Sequence, residues 1–217
     1  MLLRAPGVYR AQDDTSLLVD ELNRGGFAPG RAVLDVGTGS GALAVAAARA
    51  GASAVTAVDL SLRSVLTARA NARLHGARVT VHQGDLFAPV AGQLFDLVLT
   101  NPPYVPSRGG VLPRHRIGRS WDGGPDGRML LDRICAAVPA HLAPGGVVLL
   151  VQSELSGEDA TLDRLADAGL DATVRTRARI PLGPVLRRRL AVLRRDGLMG
   201  PDQDDEGLVV IEARRPG

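Results

Sequence analysis

The chain has 217 residues, a formal net charge of +3 and 26 basic side chains, every one of which is arginine. Hydrophobic residues make up 45% of it and charged residues 23%, which is typical of a globular chain with a sizeable core and excludes a disordered or fibrous protein. Arginines gather at 108–119 and 187–195, but so small a net charge does not by itself indicate nucleic-acid binding.

The sequence offers no pattern typical of a metal site or a membrane span. Cys135 is the sole cysteine, which excludes a disulfide or a cysteine-based zinc site within the chain. The four histidines are scattered and lack the spacing of metal ligands. No apolar run is long enough for a signal peptide or a membrane span, so we expect a cytoplasmic protein without membrane contact.

Apolar strand-like runs alternate with helix-like segments along the chain. The pattern predicts strands at 32–36, 54–59, 78–82, 95–100, 147–152, 171–179 and 208–213. It predicts helices at 42–50, from a Ser61 cap to about 74, at 126–142, 157–168 and 184–196. This alternation indicates an α/β fold with a parallel sheet, helices on both faces, and a ligand beyond the carboxyl ends of the strands.

The remaining segments have distinct compositions. We expect one domain over 1–217, with residues 1–25 forming an N-terminal lid or helix. Residues 104–124 are rich in Gly, Pro and Arg without periodicity, which predicts a functional loop on the substrate side. The polar stretch 200–207 predicts a solvated turn, and the arginine run 187–189 predicts a solvated helix face.

A glycine-rich loop, residues 35–41 (DVGTGSG), follows the first predicted strand. Its glycines allow a sharp turn and a close approach to a ligand, and the next helix offers free N–H groups. Asp59 ends the following strand about 20 residues on, where a carboxylate can bind ribose hydroxyls. Gly37, Gly39 and Ala42 also fit the dinucleotide pattern, so a nicotinamide or flavin enzyme remains open at this point.

The fourth predicted strand runs directly into Asn101, Pro102, Pro103 and Tyr104. The prolines end the strand and stiffen the loop, which leaves Asn101 at the mouth of the expected cleft. An amide or amino nitrogen is a poor nucleophile because its lone pair is delocalised. The Asn101 side-chain oxygen and the Pro102 carbonyl can accept its two N–H hydrogens, and the Tyr104 ring can hold the planar group. The pattern therefore predicts methylation of a planar nitrogen, catalysed mainly by placement.

Together these motifs resemble the short, HemK-like family of class I methyltransferases that methylate the N5 atom of protein glutamines. Segment 8–20 is similar to the N-terminal signature of that family, although Arg10 and Ala11 stand where it has Glu and Pro. Segment 121–127 (WDGGPDG) resembles the family's W-x-G-G-x-D-G element. The resemblance implies a Rossmann-like, mostly parallel seven-stranded sheet with an antiparallel last strand.

The resemblance also implies the ligands and partners. S-adenosyl-L-methionine would be the methyl donor, with Asp59 on its ribose, Leu60 beside the adenine and Asp85 as the adenine-binding acid. The implied cofactor-binding set is Thr15, Asp35, Gly37, Thr38, Gly39, Gly41, Asp59, Leu60, Asp85, Leu86 and Asn101. Asp13, Asp14 and Thr15 would lie over the cofactor. The implied substrate is the Gly-Gly-Gln tip of a peptide-release factor, and a small activator subunit can accompany short members.

Other functions share some of these features. A nucleic-acid amino group or a small molecule would use the same chemistry at Asn101, and the basic loop 105–120 would suit RNA. A nicotinamide oxidoreductase would need a proton donor such as a Tyr–Lys pair, and the chain has no lysine. A non-catalytic partner subunit would have no use for the intact motif at 101–104.

Overall fold

A seven-stranded sheet with helices on both faces organises the chain in a computed structural model that describes residues 2–3, 5–8, 12–106 and 122–217. The strands are β1 (Ala32–Val36), β2 (Ala54–Asp59), β3 (Thr80–Gln83), β4 (Phe95–Thr100), β5 (Leu142–Ser153), β6 (Asp171–Pro181) and β7 (Asp205–Arg214). The helices are α1 (Asp13–Arg24), α2 (Ala42–Arg49), α3 (Leu62–Leu74), α4 (Met129–Ala137), α5 (Glu158–Asp167) and α6 (Pro184–Arg195).

The strand order is β3-β2-β1-β4-β5-β7-β6. Strands β1 to β5 pair in parallel, and β7 runs antiparallel to both of its neighbours, β5 and β6. The predicted Rossmann-like fold class is confirmed, including the reversed last strand. The order changes direction between β1 and β4, so their carboxyl ends form the switch point at which such sheets bind ligands.

The central strands are buried on both faces. In β4, Leu97 and Leu99 belong to the core beneath α1, α2 and α3, whereas Val98 belongs to the core beneath α4, α5 and α6. Alternate side chains of a strand point to opposite faces, so a strand covered on both faces is apolar at most positions. This arrangement explains why β1 and β4 are mostly apolar, with Asp35 in β1 and with Asp96 and Thr100 in β4 as the polar exceptions.

Register and one side-chain hydrogen bond fix the two loops at the switch point next to each other. Val36 of β1 pairs with Thr100 of β4. The Thr100 hydroxyl donates to the Val36 carbonyl at 2.9 Å. The glycine-rich loop and the Asn101 loop therefore leave the sheet side by side.

Several predicted boundaries differ from the structure. Helix α4 begins at Met129 rather than 126, because the segment before it turns through Gly124 and Gly127 at positive φ. It passes into a 3-10 turn, Val138–His141, where Pro139 cannot donate to an α-helical ladder. Strand β5 begins at Leu142 instead of 147 because Leu142 already pairs with Phe95 across a bulge. Strand β3 lies two residues later than its predicted start.

The prediction of a solvated turn over 200–207 is wrong at its carboxyl end. Residues from Asp205 onward pair with β6, and Glu206 is buried. A polar run can still form a strand when the neighbouring strand supplies a complete ladder, because pairing satisfies the backbone groups.

Several sequence features lie outside the described residues: Tyr9–Ala11, the arginines at 108–119 and Trp121. Within the described ranges, no helix is long and apolar enough to cross a membrane. Cys135 is fully buried on α4 and packs as a small apolar side chain; burial raises the pKa of its thiol to about 11.

Candidate active site

A large cavity opens beyond the carboxyl ends of β1, β2, β3 and β4, with a volume of about 730 Å³. The cofactor residues expected from the sequence that line it are Thr15, Gly37, Thr38, Gly39, Asp59, Leu60, Asp85, Leu86 and Asn101. The structure therefore brings together residues that are spread over most of the amino-terminal half of the chain. Their common position follows from parallel pairing, which places every strand's carboxyl end at one edge.

Asp59 lies on the wall of this cavity and anchors the glycine-rich loop. Its Oδ2 atom accepts a hydrogen bond from the Gly39 amide at 2.8 Å, and its Oδ1 atom accepts one from the Ser61 amide at 2.8 Å. Burial raises the pKa of the Asp59 carboxyl. Each carboxylate oxygen has a second lone pair, so Asp59 can hold the loop and still accept hydrogen bonds from ligand hydroxyls.

Asp35 and Gly41 lie behind the wall of the cavity instead of on it. The Asp35 carboxylate is fully buried and accepts hydrogen bonds from the Thr38 hydroxyl at 2.6 Å and the Ala44 amide at 3.0 Å. Burial is the main reason that the pKa of Asp35 rises to about 7. A Cβ on Gly41 would lie 3.0 Å from Ala68, so this glycine allows α2 to approach α3. Both residues shape the loop from below.

The far end of the cavity carries an ion pair that the sequence did not indicate. Arg133 of α4 donates to the Asp85 carboxylate at 2.6 Å, and both side chains are about half exposed. Next to them, Leu86 has a positive φ of 47°, an uncommon conformation for a residue other than glycine. Such strain concentrates at binding sites, where surrounding contacts hold the backbone.

The described residues of the amino-terminal segment lie at one edge of the same cavity. Leu3 exchanges two hydrogen bonds with the Asn71 side chain of α3, at 2.6 and 3.0 Å. Arg63 donates to the Pro6 carbonyl at 3.2 Å, and Gly7 lines the cavity. This segment therefore lies across α3 at the cavity edge.

A second, smaller pocket of about 70 Å³ adjoins the large cavity. Asn101, Pro102, Pro103 and Tyr104, the four predicted catalytic residues, all line it. Asn101 and Pro103 line both spaces, so the motif at 101–104 forms the wall between them. We call this smaller space the acceptor pocket. Its other walls come from distant parts of the chain: Gln12 and Asp14, residues 183–186, and Glu206.

A directional chain of hydrogen bonds orients the motif at 101–104. The Thr15 hydroxyl donates to Asp14 Oδ1 at 3.3 Å, so it accepts from the Asn101 side-chain nitrogen at 3.1 Å. The Tyr104 hydroxyl donates to Asp14 Oδ2 at 3.0 Å. Because the Asn101 nitrogen is used in this way, its Oδ1 atom is the end of the amide left to accept hydrogen bonds. Asp14 thus lines the smaller pocket, Thr15 lines the large cavity, and Asp13 is exposed.

The glycines of segment 121–127 support the same loop from the other side. The Gly123 amide donates to the Val105 carbonyl at 3.0 Å. Gly127 has a φ of 79°, and a Cβ there would lie 2.3 Å from the Tyr104 carbonyl oxygen. These glycines therefore serve backbone geometry, because a side chain on Gly127 would meet Tyr104 and a side chain on Gly123 would meet the backbone of Gly127.

Glu206 and Arg189 are residues of this region that sequence reasoning missed. Glu206 was assigned to a polar turn, and Arg189 to a solvated helix face. Arg189 instead donates to the Pro106 carbonyl at 2.6 Å, and partial burial lowers its pKa, whereas Arg187 and Arg188 are exposed. Glu206 stands in a polar stretch next to a glycine, and Arg189 is one of three consecutive arginines, so neither carries a local signal that separates it from its neighbours. The pairing of β7 with β6 reveals the first, and the contact of α6 with Pro106 reveals the second.

The chain matches known proteins in sequence and in structure. A family model described as "Methyltransferase small domain" matches residues 1–111. A candidate protein N5-glutamine methyltransferase of Methanocaldococcus jannaschii is 35% identical over 176 residues, which are 81% of this chain and 87% of that protein. A release factor glutamine methyltransferase of Geobacter sulfurreducens is 40% identical over 152 residues, which are 67% of this chain and 53% of that protein. This chain therefore aligns with about half the length of the latter.

A solved structure has the same fold. The E. cuniculi Mtq2–Trm112 complex, described as responsible for methylation of the translation termination factor eRF1, contains a similar chain. The TM-score is 0.67 at 23% identity, with 96% of this chain and 99% of that chain covered. The nicotinamide and flavin alternatives left open by the glycine pattern are thereby excluded, and this chain belongs to the methyltransferase family that includes the protein N5-glutamine methyltransferases.

Proposed function

We propose that this protein transfers a methyl group from S-adenosyl-L-methionine to the side-chain nitrogen of a protein glutamine. The observation that carries the proposal is the shared wall: Asn101 and Pro103 line both the large cavity and the acceptor pocket. A donor in one space and an acceptor in the other would meet at the motif. Placement of two reactants in line accounts for most of the acceleration that such a transfer needs.

The large cavity suits the proposed cofactor in its chemistry. Asp59 offers a carboxylate for ribose hydroxyls, and the glycine-rich loop offers backbone N–H groups at the start of α2. Leu60, Leu62 and Leu66 line the cavity although each is more than half exposed, and a flat apolar ligand would cover such side chains. The cofactor, when bound, supplies a methyl group on a positively charged sulfur.

The motif at 101–104 would prepare the acceptor nitrogen. Asn101 Oδ1 and the Pro102 carbonyl would accept the two N–H hydrogens of the glutamine amide, which turns its lone pair toward the methyl group. The same two oxygens would stabilise positive charge as it develops on nitrogen. The Tyr104 ring, held by Asp14, would keep the amide plane in position. After the new N–C bond has formed, one of the two N–H protons would leave the nitrogen for water, because amide carbonyl oxygens such as Asn101 Oδ1 are too weakly basic to keep it.

Charge supports a protein acceptor over a nucleic acid. Asp14 and Glu206 both line the acceptor pocket, and an acidic wall repels the phosphates of RNA or DNA. The names of the relatives support a peptide-release factor as the acceptor, a small activator subunit as partner, and thus the cytoplasm as the place of action. We further propose residues 1–25 as the lid of the cofactor cavity and 104–124 as the substrate-side loop of one domain.

The test measures methyl incorporation from labelled S-adenosyl-L-methionine into a purified release factor. The expected result is label on the wild-type factor, none on a factor whose Gly-Gly-Gln glutamine is replaced by alanine, and none with Asn101→Ala enzyme. The assay is run with and without a small activator subunit. If the protein binds the cofactor but labels the factor under neither condition, the substrate assignment is wrong. Label on RNA would then identify a nucleic acid as the acceptor.

A further inference from the structure

Glu206 is a buried carboxyl group with an incomplete set of partners. The residue is 6% exposed, and one of its side-chain oxygens, Oε1, is buried and has no hydrogen-bond partner among the described residues. The nearby Ser153 hydroxyl at the end of β5 favours the charged carboxylate and lowers its pKa. Burial is the main reason that the pKa of Glu206 rises to about 7, and the nearby Asp14 carboxylate raises it further. An unpaired buried oxygen of this kind is costly to keep.

A second glutamate on the same strand shows what a structural carboxylate in β7 looks like. Glu212 is also buried, but Arg175 donates to one of its oxygens at 2.7 Å and Arg214 donates to the other at 2.9 Å. Its charge is neutralised within the fold. Glu206 has no such cation among the described residues, which indicates that its partner is not supplied by the described part of the fold.

The position of Glu206 indicates where that partner would come from. It lines the acceptor pocket together with Asn101 and Tyr104. Residues Pro184–Leu186 at the start of α6 form the apolar side of the same pocket. A molecule that enters the acceptor pocket and reaches Asn101 from that side therefore also passes Glu206.

We propose that Glu206 is a substrate-binding residue whose carboxylate accepts a hydrogen bond from a main-chain N–H of the peptide that carries the acceptor glutamine. This inference rests on the proposed function. The two side-chain N–H groups of the glutamine are already assigned to Asn101 and Pro102, so the donor must come from another group of the peptide. A backbone N–H is available at every flanking residue, whereas a phosphate has no donor and would be repelled.

The test compares steady-state methylation of the release factor by wild-type enzyme and by Glu206→Ala, Glu206→Gln and Glu212→Gln. Loss of a hydrogen bond to a charged group should raise KM for the factor about tenfold to a hundredfold in Glu206→Ala, with kcat changed less than about threefold. Glu206→Gln should lie between Glu206→Ala and wild type, because its amide can donate to Ser153 and still offer an oxygen to the peptide. Glu212→Gln, the matched control, should leave KM unchanged.

The outcomes separate the two proposals. If the wild-type enzyme labels no factor, the proposed function fails and the inference fails with it. If the wild-type enzyme is active and the Glu206 variants have the KM of Glu212→Gln, the inference alone is wrong. A loss in kcat without a change in KM also contradicts it. Affinity for the cofactor, measured on each variant by calorimetry, should equal that of wild type and establishes that each variant is folded.

Discussion

The large cavity and the acceptor pocket are built in opposite ways. The cavity is lined by loops that directly follow β1, β2, β3 and β4, and its main residues belong to short contiguous motifs. The acceptor pocket joins the start of α1, the end of β4, the start of α6 and the start of β7. The comparison teaches that one half of this site is a property of local sequence, whereas the other half exists only when distant segments meet.

The strongest test of this comparison is to replace Asn101, which lines both the large cavity and the acceptor pocket. We expect Asn101→Ala to lower kcat for methyl transfer by about 100-fold to 1,000-fold, because the developing charge on nitrogen loses one of its acceptors. Affinity for the cofactor should change less than about tenfold, since Asp59 and the glycine-rich loop remain. Labelled transfer and calorimetry measure the two quantities, and a loss of both in equal proportion would contradict the division into two spaces.

A second test measures how the free energy of unfolding depends on pH, because Glu206 of the acceptor pocket is a buried carboxyl group. The pKa of Glu206 is about 7 in the folded protein against an ordinary 4.5, so the folded state holds this proton more tightly than the unfolded chain. Relative to Glu206→Gln, the wild-type free energy of unfolding should fall as pH rises from about 4.5 through 7, by on the order of 3 kcal/mol, and then level off.

Denaturant unfolding at several pH values checks this expectation. Below pH 4.5 the wild type and Glu206→Gln should have similar stability, and above pH 7 the variant should be the more stable protein. A variant that is less stable than wild type at pH 8 would show that the carboxylate has a structural role, as Glu212 does.

The packing of Gly127 against Tyr104, next to the acceptor pocket, provides a test with a smaller expected effect on stability. Gly127→Ala should destabilise the protein by about 2 kcal/mol, because the new Cβ would lie 2.3 Å from the Tyr104 carbonyl oxygen at a φ of 79°. Gly145→Ala is the matched control. Its φ is 71°, but within the described ranges no atom beyond its chain neighbours lies within 4 Å of a Cβ placed there, so it should cost about 1 kcal/mol. An equal loss of stability in the two variants would show that backbone strain alone, and not the contact with Tyr104, causes the loss.

The smallest effect on stability is expected at the far end of the large cavity, where Arg133 pairs with Asp85. Arg133→Gln removes the cation that pairs with Asp85, but both side chains are half exposed and the pair is screened by solvent. We expect a loss of stability of at most about 1 kcal/mol and a modest fall in cofactor affinity. A calorimetric titration with S-adenosyl-L-methionine checks it, and a loss of affinity above tenfold would assign Arg133 a direct contact with the ligand.

The sequence by itself determined the fold class, most strand positions and the motif at 101–104. These features depend on short-range patterns: apolar runs that end in glycine or proline, a cap at Ser61, and contiguous segments with one chemistry. The tertiary structure alone decided that Asp35 supports the loop from beneath, that Asp14 orients Tyr104, and that Glu206 enters the acceptor pocket. Those positions depend on burial and on pairing between segments far apart in the chain, and residues that interact only across the fold leave no periodic trace in the sequence.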